Sequence, residues 1–331
     1  MAARVDAMDG ARARVVHAVL SPAALLEAVA RAYSIPGPSA CELLKLGLND
    51  TYVLTAPRRR YVLRVYRAGW RSTDEIDYEL ALLAHLAARG VPVAAAILAE
   101  DGSSSLPILA PEGPRRAALF ALLPGAPLRW GDEASSRLAG RLLGDVHAAA
   151  DDFQGPPGRV RLDVDHLVDR SLAALRPFLE HRPEDRAYLD ELAARLRDRV
   201  RAAAAEGLDW GPCHGDFSAK NLHLHRGALT VFDFDFCGPG WRAYDLLPAR
   251  WHAARRGSAG LWEAFLRGYR DARPLGDHDV AAVPLFEAVR HVWAMGLRSA
   301  EVPYRGSARL GSAYLDYRLA AFRRWEREHR P

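Results

Sequence analysis

The spacing of hydrophobic residues changes along the chain, from alternation in the first third to helical periodicity in the rest. Alternation predicts strands at 51–55 and 61–66, and the turn-forming Ala-Pro-Arg-Arg at 56–59 joins them as a hairpin. Beyond them, apolar residues recur at helical spacing, at Ile76, Leu80, Leu83 and Leu86. Further short strand candidates follow between 93 and 123.

Residues with capping preferences set the predicted ends of the helices. Ser21 and Pro22 are typical of a helix start, and the helix they begin runs to about residue 33. Ser72 with Glu75 forms a capping box, and Gly90 ends the helix that it begins. Later helices are predicted at 132–150, 163–180, 184–206, 243–255, 259–272, 279–301 and 306–328.

A strand-rich front followed by a helix-rich back predicts an α+β protein with two lobes. The segment Leu123-Pro-Gly125 is the best boundary between them. We therefore expect an N-terminal lobe at 1–124 and a helical C-terminal lobe at 125–331.

A second predicted hairpin interrupts the helical half. Strands at 222–225 and 229–232 flank a tight turn at 225–228, and the loop at 214–221 precedes them. The hairpin therefore returns Asp233 to the loop that carries Asp216 and Asn221.

These three polar residues form the set that phosphoryl transfer from a nucleotide requires. A carboxylate at Asp216 would address the acceptor hydroxyl, and oxygens of Asn221 and Asp233 would hold Mg²⁺ on the phosphates. The pattern H-G-D-x4-N followed by a hairpin and D-F-D is far more specific than an isolated H-x-D. Turn formation and strand termination are the plainer explanation of the same residues.

The segment HGDFSAKNLHLHRGALTVFDFD at 214–235 resembles the catalytic loop and metal-binding strand of the aminoglycoside phosphotransferase and choline kinase superfamily. The stretch from Tyr61 resembles the third strand and following helix of that family, and 117–125 resembles its hinge. The resemblance covers roughly 40–250, is nearest to homoserine-kinase-like and stress-response-kinase-like members, and implies the protein-kinase-like fold.

The resemblance also implies how a nucleotide would be held. It makes Arg64, where the family often has lysine, the cation on the α- and β-phosphates, and it pairs Arg64 with Glu79. Glu75 is the alternative partner, although its capping role explains it more simply. Asn49 and Thr51 fall where the family has its phosphate-covering loop, but an ordinary hairpin turn is equally compatible with these residues.

Other expected roles are less specific. Backbone groups of Leu122 and Leu123 would address the adenine edge, and Lys220 would contact the γ-phosphate or simply face solvent. Asp235 is predicted as an auxiliary metal ligand or a turn cap. By resemblance, His214 braces the catalytic loop, and Asp245 corresponds to an aspartate that anchors it.

Composition narrows the class of protein. The net charge is +4 at pH 7, and the many arginines are scattered among acids, which argues against a nucleic-acid partner. Three cysteines, Cys41, Cys213 and Cys237, are too few for a disulfide framework, and no signal peptide or membrane span is evident. A cytoplasmic location is expected; the oligomeric state is left open.

We therefore expect an ATP-dependent kinase of a small-molecule hydroxyl, with Mg²⁺ and with GTP possible in place of ATP. A protein Ser/Thr acceptor of the stress-response type stays open. A metallohydrolase is a further alternative, built on His214, Asp216, His223, His225 and the two aspartates of D-F-D. A nucleotide-binding module without catalysis is the remaining one. An acidic pocket suited to an aminoglycoside would draw on Asp163, Asp165 and Asp169, which surface charge and capping also explain.

Overall fold

The computed structural model describes residues 13–329. The strands are β1 (Ala40–Lys45), β2 (Asn49–Ala56), β3 (Arg59–Tyr66), β4 (Ala96–Ile97), β5 (Leu106–Ala110), β6 (Gly113–Ala121), β7 (Ala126–Pro127), β8 (Trp210–Cys213), β9 (Leu222–His225), β10 (Ala228–Val231) and β11 (Gly238–Trp241). The helices are α1 (Pro22–Ala32), α2 (Thr73–Ala88), α3 (Glu133–Ala149), α4 (Ser171–Leu175), α5 (Pro183–Ala205), α6 (Ala243–Arg255), α7 (Ala259–Ala272), α8 (Asp277–Ala300), α9 (Val302–Arg305) and α10 (Ser312–Glu328).

An antiparallel sheet forms the front of the molecule, in the order β1-β2-β3-β6-β4 with β5 on β6. The predicted β2–β3 hairpin is present, and its register places Thr51 opposite Arg64. Alternate β2 residues such as Tyr52 and Leu54 are buried against Leu25 of α1. Period-two burial thus leaves Thr51 and Arg64 together on the opposite face.

Helix α2 begins at the predicted capping box, in which Ser72 Oγ accepts from Glu75 N and Glu75 Oε2 accepts from Ser72 N. Its apolar stripe joins a core cluster that contains Tyr66 and Phe120 of the sheet and continues into the helical half of the protein. The charged face of the sheet around Arg64 therefore lies between α2 and the helical half.

Most helices of the second half match their predicted bounds, but two do not. The segment 163–180 is not one α-helix. It consists of a π-helical segment at Asp165–Arg170, the short α4 and a 3₁₀ turn at Arg176–Leu179 that contains Pro177. The segment 306–328 does not begin as a helix, because Gly306 has a φ of 75° and Gly311 precedes α10. The pairing of β8 with β11 was not predicted, because β11 is the Gly- and Pro-rich run GPGW.

Helices α3 and α7 meet backbone to backbone through glycine. A Cβ at Gly140 would overlap the carbonyl of Phe265, and a Cβ at Gly268 would overlap the carbonyl of Arg137. Each helix therefore supplies a glycine at the point where the other helix's main chain touches it, and larger residues would force the helices apart.

Helix α8 lies in the core of the helical half. By length and composition it could cross a membrane, but 61% of its apolar window is buried inside the protein. It contacts α4, α5 and α6, so its hydrophobic residues serve the packing of these helices.

Candidate active site

The loop 214–221 leaves strand β8 through a constrained turn. Gly215 has a φ of 80°, and a Cβ there would overlap the carbonyl of Phe236. Only glycine meets both conditions, so the turn fixes the direction in which Asp216 leaves the strand. A 3₁₀ turn at Ala219–Asn221 then leads into β9.

Asp245 anchors this loop, as the resemblance implied. Its Oδ2 accepts from His214 N at 2.6 Å, and its Oδ1 accepts from Gly215 N at 2.8 Å. His147 Nε2 donates to Oδ2 at 3.1 Å, and Tyr269 OH lies 2.8 Å from His147 Nδ1. Burial opposes the charged form of Asp245, but these donors outweigh it and lower the pKa of its carboxyl.

His214 braces the loop with both ring nitrogens. Its Nδ1 lies 3.1 Å from Asp216 N and its Nε2 lies 3.1 Å from the carbonyl of Phe232. These contacts define a neutral ring that accepts at Nδ1 and donates at Nε2. Neither nitrogen is left for a metal ion or for proton transfer.

The carboxylate of Asp216 is held from both sides. Arg290 Nη2 donates to its Oδ1 at 2.6 Å, and Arg290 Nη1 donates to the carbonyl of Gly215 at 2.8 Å. On the other side, Asn221 Nδ2 lies 3.1 Å and Lys220 Nζ 2.9 Å from Oδ2. Asp216 is thus oriented by a buried cation, an amide and an exposed cation.

Arg290 was missed by the sequence reasoning. It lies on α8, is 8% exposed, and its guanidinium packs over the rings of Tyr244, Trp251 and Trp293. A charge in the middle of a largely apolar helix was the available signal, because a buried charge requires a partner. The identity of that partner, 74 positions away, has no local signature.

Asn221 and Asp233 are brought together by the second hairpin. Phe232 N donates to the carbonyl of Asn221 at 3.0 Å, so the residue before Asp233 is tied to Asn221. Asn221 Nδ2 also donates to the carbonyl of Asp216 at 2.9 Å, which leaves its Oδ1 as an acceptor. Asp233 has a φ of 66° and a side chain 45% exposed. Its positive φ is a strained conformation of the kind that clusters at functional sites.

The Arg64–Glu79 ion pair expected from the resemblance is present. Arg64 Nη1 donates to Glu79 Oε1 at 2.6 Å, and Arg64 Nη2 donates to Asp233 Oδ1 at 3.1 Å. Burial opposes the charge of Arg64, but the two carboxylates outweigh it and raise the pKa of the guanidinium. Arg64 therefore joins α2 and the sheet to the strand end that carries Asp233.

Asp235, predicted as an auxiliary metal ligand or a turn cap, is held by side chains of β2 and of the loop before α2. Asn49 Nδ2 donates to its Oδ1 at 3.0 Å, while Trp70 Nε1 at 3.0 Å and Arg71 Nη2 at 3.4 Å reach its Oδ2. Burial is offset by Arg71, Arg64 and these hydrogen bonds, which lower the pKa of the carboxyl to about 2. Each oxygen therefore accepts at least one hydrogen bond from the protein, and Asp235 ties the sheet to the loop after β10.

Some of the groups predicted to contact a nucleotide at the sheet are hydrogen-bonded to the protein instead. The turn between β1 and β2 lies at 46–48, and Asn49 is already in β2 with its amide committed to Asp235. Thr51 is half-buried within β2, opposite Arg64. Leu122 N donates to the carbonyl of Arg60 and is thus unavailable to a base, whereas Leu123 N makes no hydrogen bond with the residues described.

The alternative metal cluster is not assembled. Across residues 13–329, no three His, Cys, Asp or Glu side chains converge in a way that could hold a metal ion. Cys213 and Cys237 are buried beside the loop, and burial raises the pKa of the Cys237 thiol to about 12. These two thiols behave as small apolar groups.

A cavity of about 220 Å³ opens beside Asp216. Trp130 and Trp251 contribute its aromatic walls, and Lys220, Arg255 and Arg290 contribute its cations. The large aromatic residues Trp262 of α7 and Phe286 of α8 are buried in the core instead. The loop that carries Asp216 therefore borders a cavity that can hold a small molecule.

Comparison with known proteins identifies the family. The family model described as "Phosphotransferase enzyme family" matches residues 21–282. The chain belongs to the phosphotransferase enzyme family. It is 41% identical over 320 residues to an uncharacterised protein of Deinococcus radiodurans, covering 95% of this chain and 92% of that one. It is 30% identical over 247 residues to a homoserine kinase of Rhizobium etli, covering 72% of each.

Solved structures of phosphotransferases share the fold. A microcompartment-associated aminopropanol kinase aligns with a TM-score of 0.66 at 23% identity and covers 90% of this chain and 93% of its own. An amicoumacin kinase in complex with AMP-PNP, Ca²⁺ and Ami aligns with a TM-score of 0.69 at 22% identity and covers 93% and 94%. The expected kinase-like fold, an antiparallel N-terminal sheet and a helical C-terminal region, is confirmed.

Proposed function

We propose that this phosphotransferase moves the γ-phosphate of ATP to a hydroxyl group of a small molecule. The observation that carries the proposal is the convergence on one site of Asp216, Asn221 and Asp233, the last held by Arg64. Complexes of an amicoumacin kinase with AMP-PNP and of a spectinomycin phosphotransferase with ADP, together with homoserine kinases among the relatives, support a nucleotide and a small hydroxyl compound. GTP is a possible replacement for ATP.

The nucleotide is proposed to lie between the sheet and the helical half, with residues 1–124 and 125–331 as its two lobes. Arg64 would donate to the α- and β-phosphates, since Glu79 and Asp233 hold its guanidinium at the cleft. Leu123 N, which makes no hydrogen bond within residues 13–329, would address the base edge. Lys220, with Nζ beside Asp216, would reach the γ-phosphate.

The residues present fit one hard cation. Asn221 Oδ1 is left as an acceptor because its amide nitrogen is committed to Asp216, and Asp233 is partly exposed. Oxygen ligands of this kind suit Mg²⁺. When held by Asn221 and Asp233, Mg²⁺ would offset the negative charge of the phosphates. Asp235, which hydrogen bonds from Asn49 and Trp70 tie to β2 and to the loop before α2, is assigned a bracing role outside this proposed site.

Asp216 is the proposed catalytic residue. It would orient the acceptor hydroxyl and accept its proton as the oxygen bonds to the γ-phosphorus and the bond to the β–γ bridging oxygen breaks, releasing ADP. Arg290 and Asn221 hold the carboxylate in place for this step. Positioning and charge stabilisation supply most of the acceleration.

The test is Asp216→Asn, assayed with a panel of alcohols for ATP-dependent gain of one phosphate by mass spectrometry. We expect turnover to fall at least about 10²-fold while ATP binding, measured by calorimetry, is retained. Asp198→Asn is the matched control, because Asp198 is 81% exposed on α5. Full activity of Asp216→Asn would refute the assignment.

The same assay separates the remaining alternatives. Incorporation of phosphate into serine of added proteins would favour a protein kinase, and turnover with Mn²⁺ or Zn²⁺ but no nucleotide would favour a hydrolase. The proposed partners are a nucleotide and a small acceptor, without nucleic acid or membrane, in the cytoplasm.

A further inference from the structure

The charges around the acceptor cavity are strongly unbalanced. Among the described residues that line it, Asp216 is the sole carboxylate, against the cations Lys220, Arg255 and Arg290. Arg290 and Asp216 form a mutual pair at 2.6 Å. Lys220 Nζ is paired with the same carboxylate, 2.9 Å from Asp216 Oδ2. Of the three cations, Arg255 is therefore the one that Asp216 does not engage.

Arg255 is available for a ligand. It lies in the last turn of α6 and is exposed, and no carboxylate of residues 13–329 lies within ion-pair distance of its guanidinium. Part of its role is favourable interaction with the C-terminal end of the α6 dipole. That interaction leaves its hydrogen-bond donors free, and a guanidinium fork suits a carboxylate or phosphate.

His252 supplies an independent sign of a ligand. Its ring is stacked 5.5 Å from Trp130 and lines the same cavity, and its Nε2 is buried without a hydrogen-bond partner among the described residues. Burial foremost, with Arg256 and Arg255 nearby, lowers the pKa of His252, so the ring is neutral. A buried unpaired nitrogen is costly, and a polar ligand atom would satisfy it.

We propose that the acceptor is a hydroxy compound carrying an anionic group, which Arg255 binds while the hydroxyl faces Asp216 and a polar atom reaches His252. This inference rests on the proposed function and specifies its substrate class. A polycationic acceptor is disfavoured, because its ammonium groups would meet Lys220 and Arg255 without any carboxylate except Asp216. The aspartates Asp163, Asp165 and Asp169, considered for such an acceptor, do not line the cavity.

The test compares acceptors that share a hydroxyl group but differ in the charged groups that they carry. Homoserine, 4-hydroxybutyrate and 3-aminopropan-1-ol share a primary hydroxyl, and the second and third lack the amine and the carboxylate respectively. Glycerol 3-phosphate with glycerol forms a phosphate arm. We expect kcat/KM to be higher for the anionic compound in at least one of the two sets. The set in which this preference is found shows whether the anionic group is a carboxylate or a phosphate. A preference for 3-aminopropan-1-ol and glycerol would overturn the inference.

Variants of Arg255 supply a second measurement. Arg255→Ala should raise KM for the best anionic acceptor by about 10-fold or more and leave KM for ATP unchanged. Arg255→Glu should shift the ratio of kcat/KM values toward the cationic acceptor. Arg256→Ala is the matched control, since Arg256 is exposed at the same helix end but does not line the cavity.

The outcomes separate the two proposals. If no acceptor of any charge gains phosphate in a broad alcohol panel, the proposed function fails and this inference fails with it. If neutral or cationic alcohols are the best acceptors, or if Arg255→Ala leaves KM for the anionic acceptor unchanged, the proposed function stands and the anionic acceptor is rejected.

Discussion

The guanidinium of Arg290 donates to Asp216 Oδ1 at 2.6 Å and, through its other terminal nitrogen, to the carbonyl of the preceding Gly215. A buried helix of the C-terminal region thereby fixes both the side chain and the main chain of the proposed catalytic residue. Because Arg290 is itself packed among aromatic rings, the carboxylate has little freedom to rotate.

We predict that Arg290→Met lowers kcat by about 10²-fold, because a displaced carboxylate loses its alignment with the hydroxyl. KM for ATP should change little, and Arg290→Lys should recover part of kcat because it keeps the charge. Steady-state kinetics measure both constants, and Arg298→Met on the same helix is the control. Equal kcat values for the Met variant and the parent would show that Arg290 does not position Asp216.

Local pattern predicted much of this site. The loop, the hairpin and the proximity of Asn221 to Asp233 follow from strand alternation and turn residues within about 20 positions, and the structure has the hairpin as predicted. The capping box of α2 was predicted from sequence in the same way. Each of these features depends on neighbours in sequence.

Long-range partners could not be predicted in the same way. Nothing local to Asp235 indicates that Asn49 and Trp70 occupy its oxygens, so its D-x-D spacing suggested a ligand. Trp130, which precedes α3, and Trp251 of α6 line the same cavity although they are 121 positions apart, a relation that depends on tertiary packing. The break in 306–328 has a local cause instead, since Gly306 and Gly311 interrupt a segment whose other residues have helical periodicity.

Arg64→Lys tests the forked contact. Arg64 reaches Glu79 and Asp233 with separate nitrogens, and a lysine, with a single nitrogen on a flexible stem, lacks that fork. We expect KM for ATP to rise about 10-fold with a smaller change in kcat. Arg60→Lys, on the same strand but exposed, is the control. An unchanged KM would remove Arg64 from the nucleotide site.

Asp233→Asn and Asp235→Asn should separate metal binding from bracing. Asparagine tolerates the φ of 66° at position 233, so that variant removes charge while the backbone is kept. We expect Asp233→Asn to raise the Mg²⁺ concentration needed for half-maximal rate about 10-fold. Asp235→Asn should instead lower thermal stability without changing the Mg²⁺ requirement. A shared shift in Mg²⁺ dependence would return Asp235 to the metal site.

Asp245→Asn should destabilise the protein. The change removes one charge that serves His214 N, Gly215 N and His147 at once, and it turns an amide N–H toward donors. We expect a loss of about 2–4 kcal/mol in the free energy of unfolding. Urea titration at neutral pH measures it, with Asp198→Asn as control. A loss no larger than that of the control would contradict the anchoring role.

Stability should fall in mild acid because of His291. Burial first, then Arg318, Arg290 and Arg324, lower the pKa of His291 to about 4. Since its unfolded pKa is about 6.5, the unfolded chain gains a proton that the folded protein resists. The contribution is complete above pH 6.5 and is lost as pH falls toward 4, by about 2 kcal/mol at pH 5.

Urea midpoints at pH 7.5 and 5 measure this dependence, and His291→Gln should reduce it relative to the parent. His166, whose pKa burial and Arg71 lower to about 4, contributes in the same window, so part of the dependence should persist in the variant. An identical dependence in His291→Gln and the parent would show that His291 is protonated as easily in the fold as outside it.

The interlocked glycines of α3 and α7 bear on how the enzyme can move. His147 on α3 and Tyr269 on α7 lie at that junction, and their hydrogen bonds support Asp245. The loop that Asp245 anchors is therefore held by two tightly packed helices. If the protein opens and closes around a nucleotide, we therefore expect the N-terminal sheet to move. The loop that carries Asp216 would keep its position on α3 and α7.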